Sequence, residues 1–141
     1  GSRLIEEFVG EELSNWFVRL SRRVFWKGEL NEDKLAAYDT LFTCLNTLSK
    51  IIAPVVPFFS DWLFRALNGH KIDQGHEVES VHLTDWPEVN SSWIDTDLES
   101  RMARAQLVSS LVLSLRKKEK IKVRQPLQKI LIPSAYTPKN V

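Results

Sequence analysis

A short segment of this sequence combines positive charge with aromatic surface. Residues 15–26, NWFVRLSRRVFW, and the lysine that follows them hold three arginines and one lysine beside two tryptophans and two phenylalanines. Guanidinium groups present forked N–H donors that match phosphate oxygens, and groups three or four residues apart lie on one face of a helix. A neighbouring indole offers a flat surface on which an unpaired base can stack. These residue types together suit the binding of single-stranded regions of folded RNA.

A second basic cluster lies towards the C-terminal end, and it contains Arg116, Lys117, Lys118, Lys120, Lys122 and Arg124, interrupted by Glu119. The residues that we predict to contact RNA are Arg19, Arg22, Arg23, Trp26, Lys27, Lys122, Arg124 and Gln125. The alternative is a solvated helix face followed by an ordinary helix C-terminus, where the helix dipole favours lysine and arginine. Trp26 either stacks on a base or packs beneath the arginines, and the pattern leaves both alternatives open.

The composition limits the class of protein. The 141 residues, of which 43% are hydrophobic and 26% charged, suit one globular domain, and the net charge of +1 creates no strong overall field. The pair Gly1-Ser2 is typical of residues added in cloning, so we expect a piece of a larger protein. No apolar run approaches the roughly 20 residues that cross a bilayer. A single cysteine, Cys44, excludes an internal disulfide and suits the reducing cytoplasm.

Apolar residues that recur every three or four positions predict four helices, which span residues 3–26, 31–53, 55–68 and 96–119. The predicted buried face of the first helix carries Leu13, Trp16, Phe17, Leu20 and Val24, and that of the second carries Leu35, Tyr38, Leu41, Leu45, Leu48 and Ile52. The predicted buried face of the third helix carries Phe58, Trp62, Leu63 and Leu67, and that of the fourth carries Leu98, Met102, Ala105, Val108, Val112 and Leu115. Asn31 is a suitable N-cap for the second helix, and Thr96 with Glu99 forms a capping-box pattern for the fourth. Gly28 is expected to end the first helix.

The segments between and after these helices lack helical periodicity. Residues 69–95 read as a long loop, with Trp86 and Trp93 as its expected anchors and SVHL (80–83) as a short strand. Residues 120–141 read as an extended tail in which ILI (130–132) forms another short strand. We therefore predict an all-α protein, an antiparallel four-helix bundle in a single domain, with a long loop and a short C-terminal β-like segment.

Other residues with chemical potential do not form a recognisable reactive centre. The three histidines, His70, His76 and His82, are spaced evenly and match no metal-ligand pattern, so we predict no metal site. Two of the three carboxylates Asp61, Asp85 and Glu88 could in principle act as a general acid and a general base, but nothing in the sequence places them in one cleft. Cys44 falls near the apolar face of the second helix, which predicts a buried, unreactive thiol. We therefore predict no catalytic residue.

Several segments resemble one protein family. The pattern Asn-Trp-aromatic-x-Arg-x-x-Arg-Arg-x-Phe-Trp of the isoleucyl-tRNA synthetase anticodon-binding domain is matched by Asn15, Trp16, Phe17, Arg19, Arg22, Arg23, Phe25 and Trp26. IAPVVPFFSDWLF is similar to a helix start found in class I synthetases in general. SVHLTDWPE and IKVRQPL resemble further elements of the isoleucyl-type domain. Together these segments extend the resemblance over nearly the whole sequence.

The resemblance implies a role in positioning tRNA. In such a protein the domain holds the anticodon arm of tRNA(Ile), while a separate catalytic domain joins isoleucine to that tRNA in two steps that use ATP and Mg. The motifs of the HIGH and KMSKS type that mark that catalytic domain are absent from this sequence. The resemblance therefore implies a non-catalytic segment with no cofactor of its own, whose partners are the anticodon arm and the catalytic domain. It implies a cytoplasmic protein with no membrane partner.

Three alternatives remain open at this point. The parent protein could be the valyl or leucyl enzyme, although SRRVFW and KVRQPL favour the isoleucyl one. The segment could be a helical module that docks a protein partner and never contacts RNA. It could also be a free-standing enzyme, which would require a pocket in which titratable groups converge.

Overall fold

A computed structural model of the chain describes residues 1–27, 29–69 and 80–132. The helices are α1 (Ser2–Glu7), a π-helical segment (Phe8–Val18), α2 (Arg22–Trp26), α3 (Glu32–Ile52), α4 (Pro57–Asn68) and α5 (Thr96–Lys118), with 3₁₀ turns at Val81–Leu83 and Ser91–Trp93. The described ranges contain no strand, and the all-α class predicted from the sequence is confirmed. The chain divides into two compact units, residues 1–89 and 90–141. The four-helix bundle and the single domain stay predictions.

The first predicted helix is helical but irregular. Its middle, Phe8–Val18, is π-helical, and the backbone turns at Ser21 before α2 begins. Because a π-helix bonds each N–H to the carbonyl five residues earlier, side chains beyond it lie on other faces than an α-helical count predicts. Leu20 is exposed, contrary to the predicted buried face, whereas Phe25 is buried. Leu13 is buried as predicted, and Gly28 lies outside the described residues.

Helix α3 begins where its capping residue predicts. The side chain of Asn31 accepts a hydrogen bond from the backbone N–H of Lys34 at 2.9 Å, which satisfies one free donor of the first turn. On the predicted buried face, Leu35 and Tyr38 are exposed, and Leu41, Leu45, Leu48 and Ile52 are half-buried. Ser49 is the fully buried residue of this helix. The capping prediction is confirmed, but the buried face of α3 centres on a small polar side chain.

Helix α4 buries a different face from the one predicted. Phe58 and Trp62, expected to point inward, are 91% and 63% exposed, and the buried positions are Ser60, Phe64 and Asn68. Ser60 Oγ donates to the backbone carbonyl of Ser49 on α3, and both serines are fully buried. Small side chains allow the two helices to approach closely. The helices therefore meet at two serines, which a search for large apolar residues does not identify.

The core of the first unit is formed where α4 meets the C-terminal end of α3. Ala53, Phe64 and Val81 pack together there. At the C-terminal end of α4, Asn68 Nδ2 donates to Asn46 Oδ1 at 3.0 Å and to the carbonyl of Phe64 at 2.9 Å. Ser49 Oγ donates to the Asn46 carbonyl at 2.7 Å, so the three buried polar side chains of α3 and α4 in the described part of the chain all have partners.

The segment after residue 79 is anchored by Val81 and not by the tryptophans. Trp86 and Trp93 are both exposed, so their expected role as anchors is wrong. The predicted SVHL strand is also wrong, because Val81–Leu83 forms a 3₁₀ turn. Asp61 on α4 holds this turn by accepting from Ser80 Oγ at 2.6 Å and from the backbone N–H of Val81 at 3.0 Å. Residues 70–79, which include His70 and His76, lie outside the described part of the chain.

The same hydrogen bonds predict how stability depends on pH. The hydrogen bond from Ser80, followed by that from Arg65 at 2.8 Å, lowers the pKa of Asp61 from 3.8 to about 2. Because the folded pKa lies below the unfolded one, the carboxylate stabilises the fold above about pH 4, and this contribution disappears as pH falls towards 2. We expect Asp61→Asn to lower the urea midpoint at pH 6 and to lower it much less at pH 2.5. A difference from wild type that stays constant over this range would contradict this role for Asp61.

The second unit contains one long helix. Asp95 is its N-cap and accepts from the backbone N–H of Leu98 at 2.9 Å, one residue before the Thr96 that the capping-box pattern predicted. No residue of α5 is buried, so the predicted buried stripe of the fourth helix is wrong. Within residues 90–132 the other helical element is a single 3₁₀ turn, which is too short to cover α5. Residues 121–132 form turns and irregular chain, so the β-like segment, including the 130–132 strand, is also wrong.

In the part of the chain that the structure describes, no helix combines the length and hydropathy required to cross a membrane.

Candidate nucleic-acid interface

The first basic cluster is held on a well-anchored helix. We call Arg19, Arg22, Arg23, Trp26 and Lys27 the α2 basic surface; all five are exposed. The anchor is Phe25, whose buried ring makes edge contacts with Phe17 at 6.2 Å and with Tyr38 of α3 at 5.1 Å between centroids. The Tyr38 hydroxyl also donates to the Phe25 carbonyl at 3.2 Å. The basic residues therefore surround an aromatic contact that fixes α2 against α3.

Trp26 and Arg22 form a cation–π pair on this surface. The Arg22 Cζ atom lies 5.6 Å from the centroid of the indole ring, within the usual range for such pairs. Trp26 nevertheless remains 70% exposed, and its ring edge contacts Phe25 at 6.4 Å. The guanidinium of Arg22 therefore covers part of the indole, while most of the ring faces solvent. Stacking of a base on Trp26 stays a prediction.

The cations of the α2 basic surface have no carboxylate partners among the described residues. No acidic oxygen lies within 4.0 Å of Arg19, Arg22, Arg23 or Lys27 in residues 1–27, 29–69 and 80–132. Arginines elsewhere do pair, Arg65 with Asp61 at 2.8 Å and Arg101 with Asp97 at 3.1 Å. The charge of this surface is therefore directed towards solvent and is available to an anion.

The second group of predicted RNA-contact residues lies in the other unit. Lys122, Arg124 and Gln125 are exposed in the turn that follows α5. Arg116 holds this turn, because its Nη1 atom donates to the carbonyl oxygens of Lys122 at 2.8 Å and Gln125 at 2.9 Å, with a longer contact to Val123 at 3.4 Å. Arg116 belongs to the second basic cluster of the sequence but was not among the predicted RNA-contact residues. Its role in the structure is to close the turn, and no sequence pattern distinguishes it from its neighbours.

The structure thus gathers five predicted residues on the α2 basic surface of the first unit and three in the turn of the second. The family described as the anticodon-binding domain of tRNA ligase matches residues 2–131, nearly the whole chain.

The chain belongs to this family of anticodon-binding domains.

Curated relatives of this anticodon-binding domain carry a common name. An isoleucine–tRNA ligase of Cytophaga hutchinsonii is 56% identical over 131 residues, which cover 93% of this chain and 12% of that protein. The isoleucine–tRNA ligase of Bacteroides fragilis is 52% identical over 131 residues, which cover 93% of this chain and 11% of the relative. That of Bacteroides thetaiotaomicron is 51% identical over 133 residues, which cover 94% and 11% respectively. The chain therefore spans about an eighth of the length of these relatives.

The anticodon-binding domain also has a cleft of about 210 Å³ in its first unit. It is lined by Lys50, Ala53, Pro54, Val81, His82, Thr84, Asp85 and Trp86. The Lys50 ammonium contacts the backbone carbonyl of Asp85 at 3.5 Å. Asp61 and Glu88 do not line this cleft, and Asp61 is bonded to the Val81 turn instead. The three carboxylates considered as an acid–base set are thus not brought together.

Two further residue types were considered for chemistry. Cys44 on α3 is half-buried, and burial raises the pKa of its thiol, which disfavours the reactive thiolate at neutral pH. Among the described residues, no three histidine, cysteine or acidic side chains come together as metal ligands would. His82 is exposed beside the cleft, and the other two histidines lie outside the described residues. The α2 basic surface is therefore the strongest candidate site of the first unit.

Proposed function

We propose that this anticodon-binding domain binds and positions the anticodon arm of tRNA(Ile), so that the catalytic domain of its parent protein can attach isoleucine. The observation that carries the proposal is the α2 basic surface, in which exposed cations that have no carboxylate partner among the described residues surround an exposed indole. The names of the relatives support isoleucine as the amino acid and do not favour the valyl or leucyl alternative. Membership of an anticodon-binding family does not favour a module without an RNA role.

The chemistry of the α2 basic surface suits the backbone of an RNA loop. The guanidinium groups of Arg19, Arg22 and Arg23 donate paired N–H groups that bridge phosphate oxygens. Lys27 adds a compact positive charge beyond the end of α2. Phosphate contacts of this kind fix where the RNA lies and do not read its sequence. We infer that this surface sets the position of the arm.

Trp26 adds a contact that duplex RNA does not use. Stacked bases in a duplex hide their faces, whereas an anticodon loop presents bases that can stack on an aromatic ring. The guanidinium of Arg22 holds the indole through the cation–π contact, and the exposed part of the ring is free to receive a base. Trp26 therefore favours a loop over a continuous stem.

We assign the chemical steps to the parent protein and not to this segment. ATP and Mg would bind in the parent's catalytic domain, and the segment would contribute orientation without a cofactor of its own. Orientation matters because a reacting group held in the correct geometry avoids much of the entropic cost of the reaction. We expect the parent to act in the cytoplasm, which the single cysteine suits.

A binding measurement on the 141-residue chain tests this function. We expect a fluorescently labelled stem-loop of the tRNA(Ile) anticodon arm to bind in anisotropy titrations, and a hairpin of the acceptor arm of equal length to bind more weakly. If the four cations of the α2 basic surface each contact a phosphate, log K should fall with log salt with a slope of roughly −3, since each phosphate contributes about 0.7–0.9. Equal binding of both hairpins at every salt concentration, or no binding, would show that the proposed function is wrong.

A further inference from the structure

Helix α5 ends in a motif that normally requires glycine. The Ile121 N–H donates to the Arg116 carbonyl at 2.8 Å and the Lys120 N–H to the Lys117 carbonyl at 3.3 Å, the paired bonds of a Schellman C-cap. Lys120 occupies the left-handed position of this motif with φ 55, and it is the non-glycine residue with positive φ in the described chain. A β-carbon at such a position has a conformational cost that glycine avoids. A lysine here is therefore unfavourable for the helix end itself.

The chain beyond Lys120 is closed into a loop by Arg116. Besides the guanidinium contacts to the carbonyls of Lys122, Val123 and Gln125, the Gln125 N–H donates to the Lys122 carbonyl at 3.0 Å. These bonds fix the backbone of residues 119–125, which we call the Arg116 loop. The carbonyl oxygens of Lys122, Val123 and Gln125 are directed at the Arg116 cation, so these three negative ends are not offered to an approaching anion.

The Arg116 loop presents positive charge to solvent. Lys120, Lys122 and Arg124 are all exposed, and none has a carboxylate within 4.0 Å in the described part of the chain. The backbone N–H groups of Lys122, Val123 and Arg124 also have no acceptor among the described residues. Glu119, at the C-cap, is the single acidic side chain of the loop. Cationic side chains and free amide donors in one fixed turn form a surface suited to phosphate oxygens.

We propose that the Arg116 loop is a preformed phosphate-binding element for tRNA, in which Lys120, Lys122 and Arg124 contact the RNA backbone and Arg116 is the positioning residue. This inference rests on the proposed function, because it gives the same RNA partner a second contact surface. The left-handed backbone at Lys120 starts the loop and also sets where the Lys120 charge lies. The residue that carries the backbone strain is therefore also one of the three proposed phosphate contacts. A loop held in advance loses less freedom on binding than a mobile tail would.

Lys120→Gly tests the proposal because it separates stability from binding. We expect the thermal midpoint to stay the same or to rise, since glycine relieves the left-handed strain. Affinity for a full tRNA(Ile) transcript should nevertheless fall about 10- to 100-fold, the loss expected for one hydrogen bond between charged groups. The slope of log K against log salt should become shallower by about 0.7–0.9. The matched control is Arg104→Gln, which removes one exposed charge from the middle of α5 and should leave both quantities nearly unchanged.

Arg116→Lys tests the positioning role, because lysine keeps the charge but has a shorter side chain and lacks the guanidinium Nη1 atom that donates to the loop carbonyls. We expect faster amide hydrogen exchange at residues 121–125, lower affinity and a shallower salt slope, although the net charge is unchanged. Faster exchange with affinity and slope unchanged would mean that Arg116 is only structural, which would overturn its assigned role.

The outcomes distinguish this proposal from the proposed function. If Lys120→Gly leaves affinity and slope unchanged while Arg22→Glu with Arg23→Glu removes binding, the loop proposal is wrong and the proposed function stands. If none of these variants changes binding, the proposed function fails and the loop proposal fails with it. An equal loss in Lys120→Gly and Arg104→Gln would reduce the effect to overall charge and would overturn the loop proposal.

Discussion

Replacing Arg22 and Arg23 together with glutamate should weaken binding of the tRNA(Ile) anticodon arm by about 100-fold or more. Both arginines are exposed and have no carboxylate within 4.0 Å among the described residues, so their guanidinium groups are available to phosphates. A hydrogen bond that involves a charged group contributes about 1.5–3 kcal/mol, and two of them amount to roughly 3–6 kcal/mol. Since about 1.4 kcal/mol changes an equilibrium constant tenfold, the loss reaches two orders of magnitude even at the lower end.

Anisotropy titrations at several salt concentrations measure this loss. The slope of log K against log salt should become shallower by about 1.5 or more, because two phosphate contacts disappear. The reversal should also disturb the indole of Trp26, which Arg22 holds through its cation–π contact. The fold should remain intact by circular dichroism, because the buried anchor of α2 is Phe25 and not either arginine.

A matched control separates a specific surface from overall charge. Arg101→Glu with Arg104→Glu reverses two exposed charges on α5 and changes the net charge of the chain by the same amount. Its cost to folding should be small, since the Arg101–Asp97 pair is exposed and such pairs contribute little. If this control weakens RNA binding as much as the reversal of Arg22 and Arg23, the α2 basic surface has no special role.

Phe64→Ala should lower the free energy of unfolding by about 3–5 kcal/mol, a large share of the roughly 5–15 kcal/mol that stabilises a typical domain. Phe64 is 8% exposed and packs against Ala53 and Val81, which are the other members of this core. Removal of the ring leaves a cavity in this small core, and the cost of truncation includes the packing lost around that cavity. Urea unfolding followed by circular dichroism measures the change.

Phe58→Ala is the control, since it makes the same truncation on the same helix at a side chain that is 91% exposed. A surface substitution of this kind normally changes stability by less than about 0.5 kcal/mol. The comparison bears directly on which face of α4 is buried, because apolar periodicity predicted Phe58 to point inward. A cost for Phe58→Ala as large as that for Phe64→Ala would contradict the observed packing of α4.

Local signals in the sequence were sufficient for the helical class, for the cap of α3 and for the family, but both short strands that they predicted are wrong. Asn31 caps α3 as predicted, because a side-chain oxygen at that position satisfies a backbone donor whatever the rest of the chain does. Pro57 starts α4, because its ring fixes φ and removes a donor that the first turn does not use. The arginine and aromatic pattern of residues 15–26 indicated the family, which the family match over residues 2–131 confirms.

Apolar periodicity was not sufficient to predict which faces are buried. Ser49 and Ser60 lie at the contact of α3 with α4, where their small size and the hydrogen bond between them allow a close approach. Apolar periodicity gives no weight to small polar residues at a helix contact. It therefore predicted that Phe58 and Trp62 are buried, and both are exposed. In the first helix, the π-helical segment Phe8–Val18 displaced the residues beyond it, and Leu20 became exposed while Phe25 became buried.

The helical class, the cap that starts α3 and the basic residues of the α2 surface could be predicted from the sequence alone, because each depends on side chains a few positions apart. The folded structure was needed to show that Asp61 anchors the Val81 turn and that Arg116 closes the loop after α5. These two roles could not be assigned from the sequence, because the sequence around an aspartate or an arginine does not show whether its side chain faces water, a phosphate or a backbone group. The partner is set by the path of the chain, and that path depends on packing between residues distant in sequence.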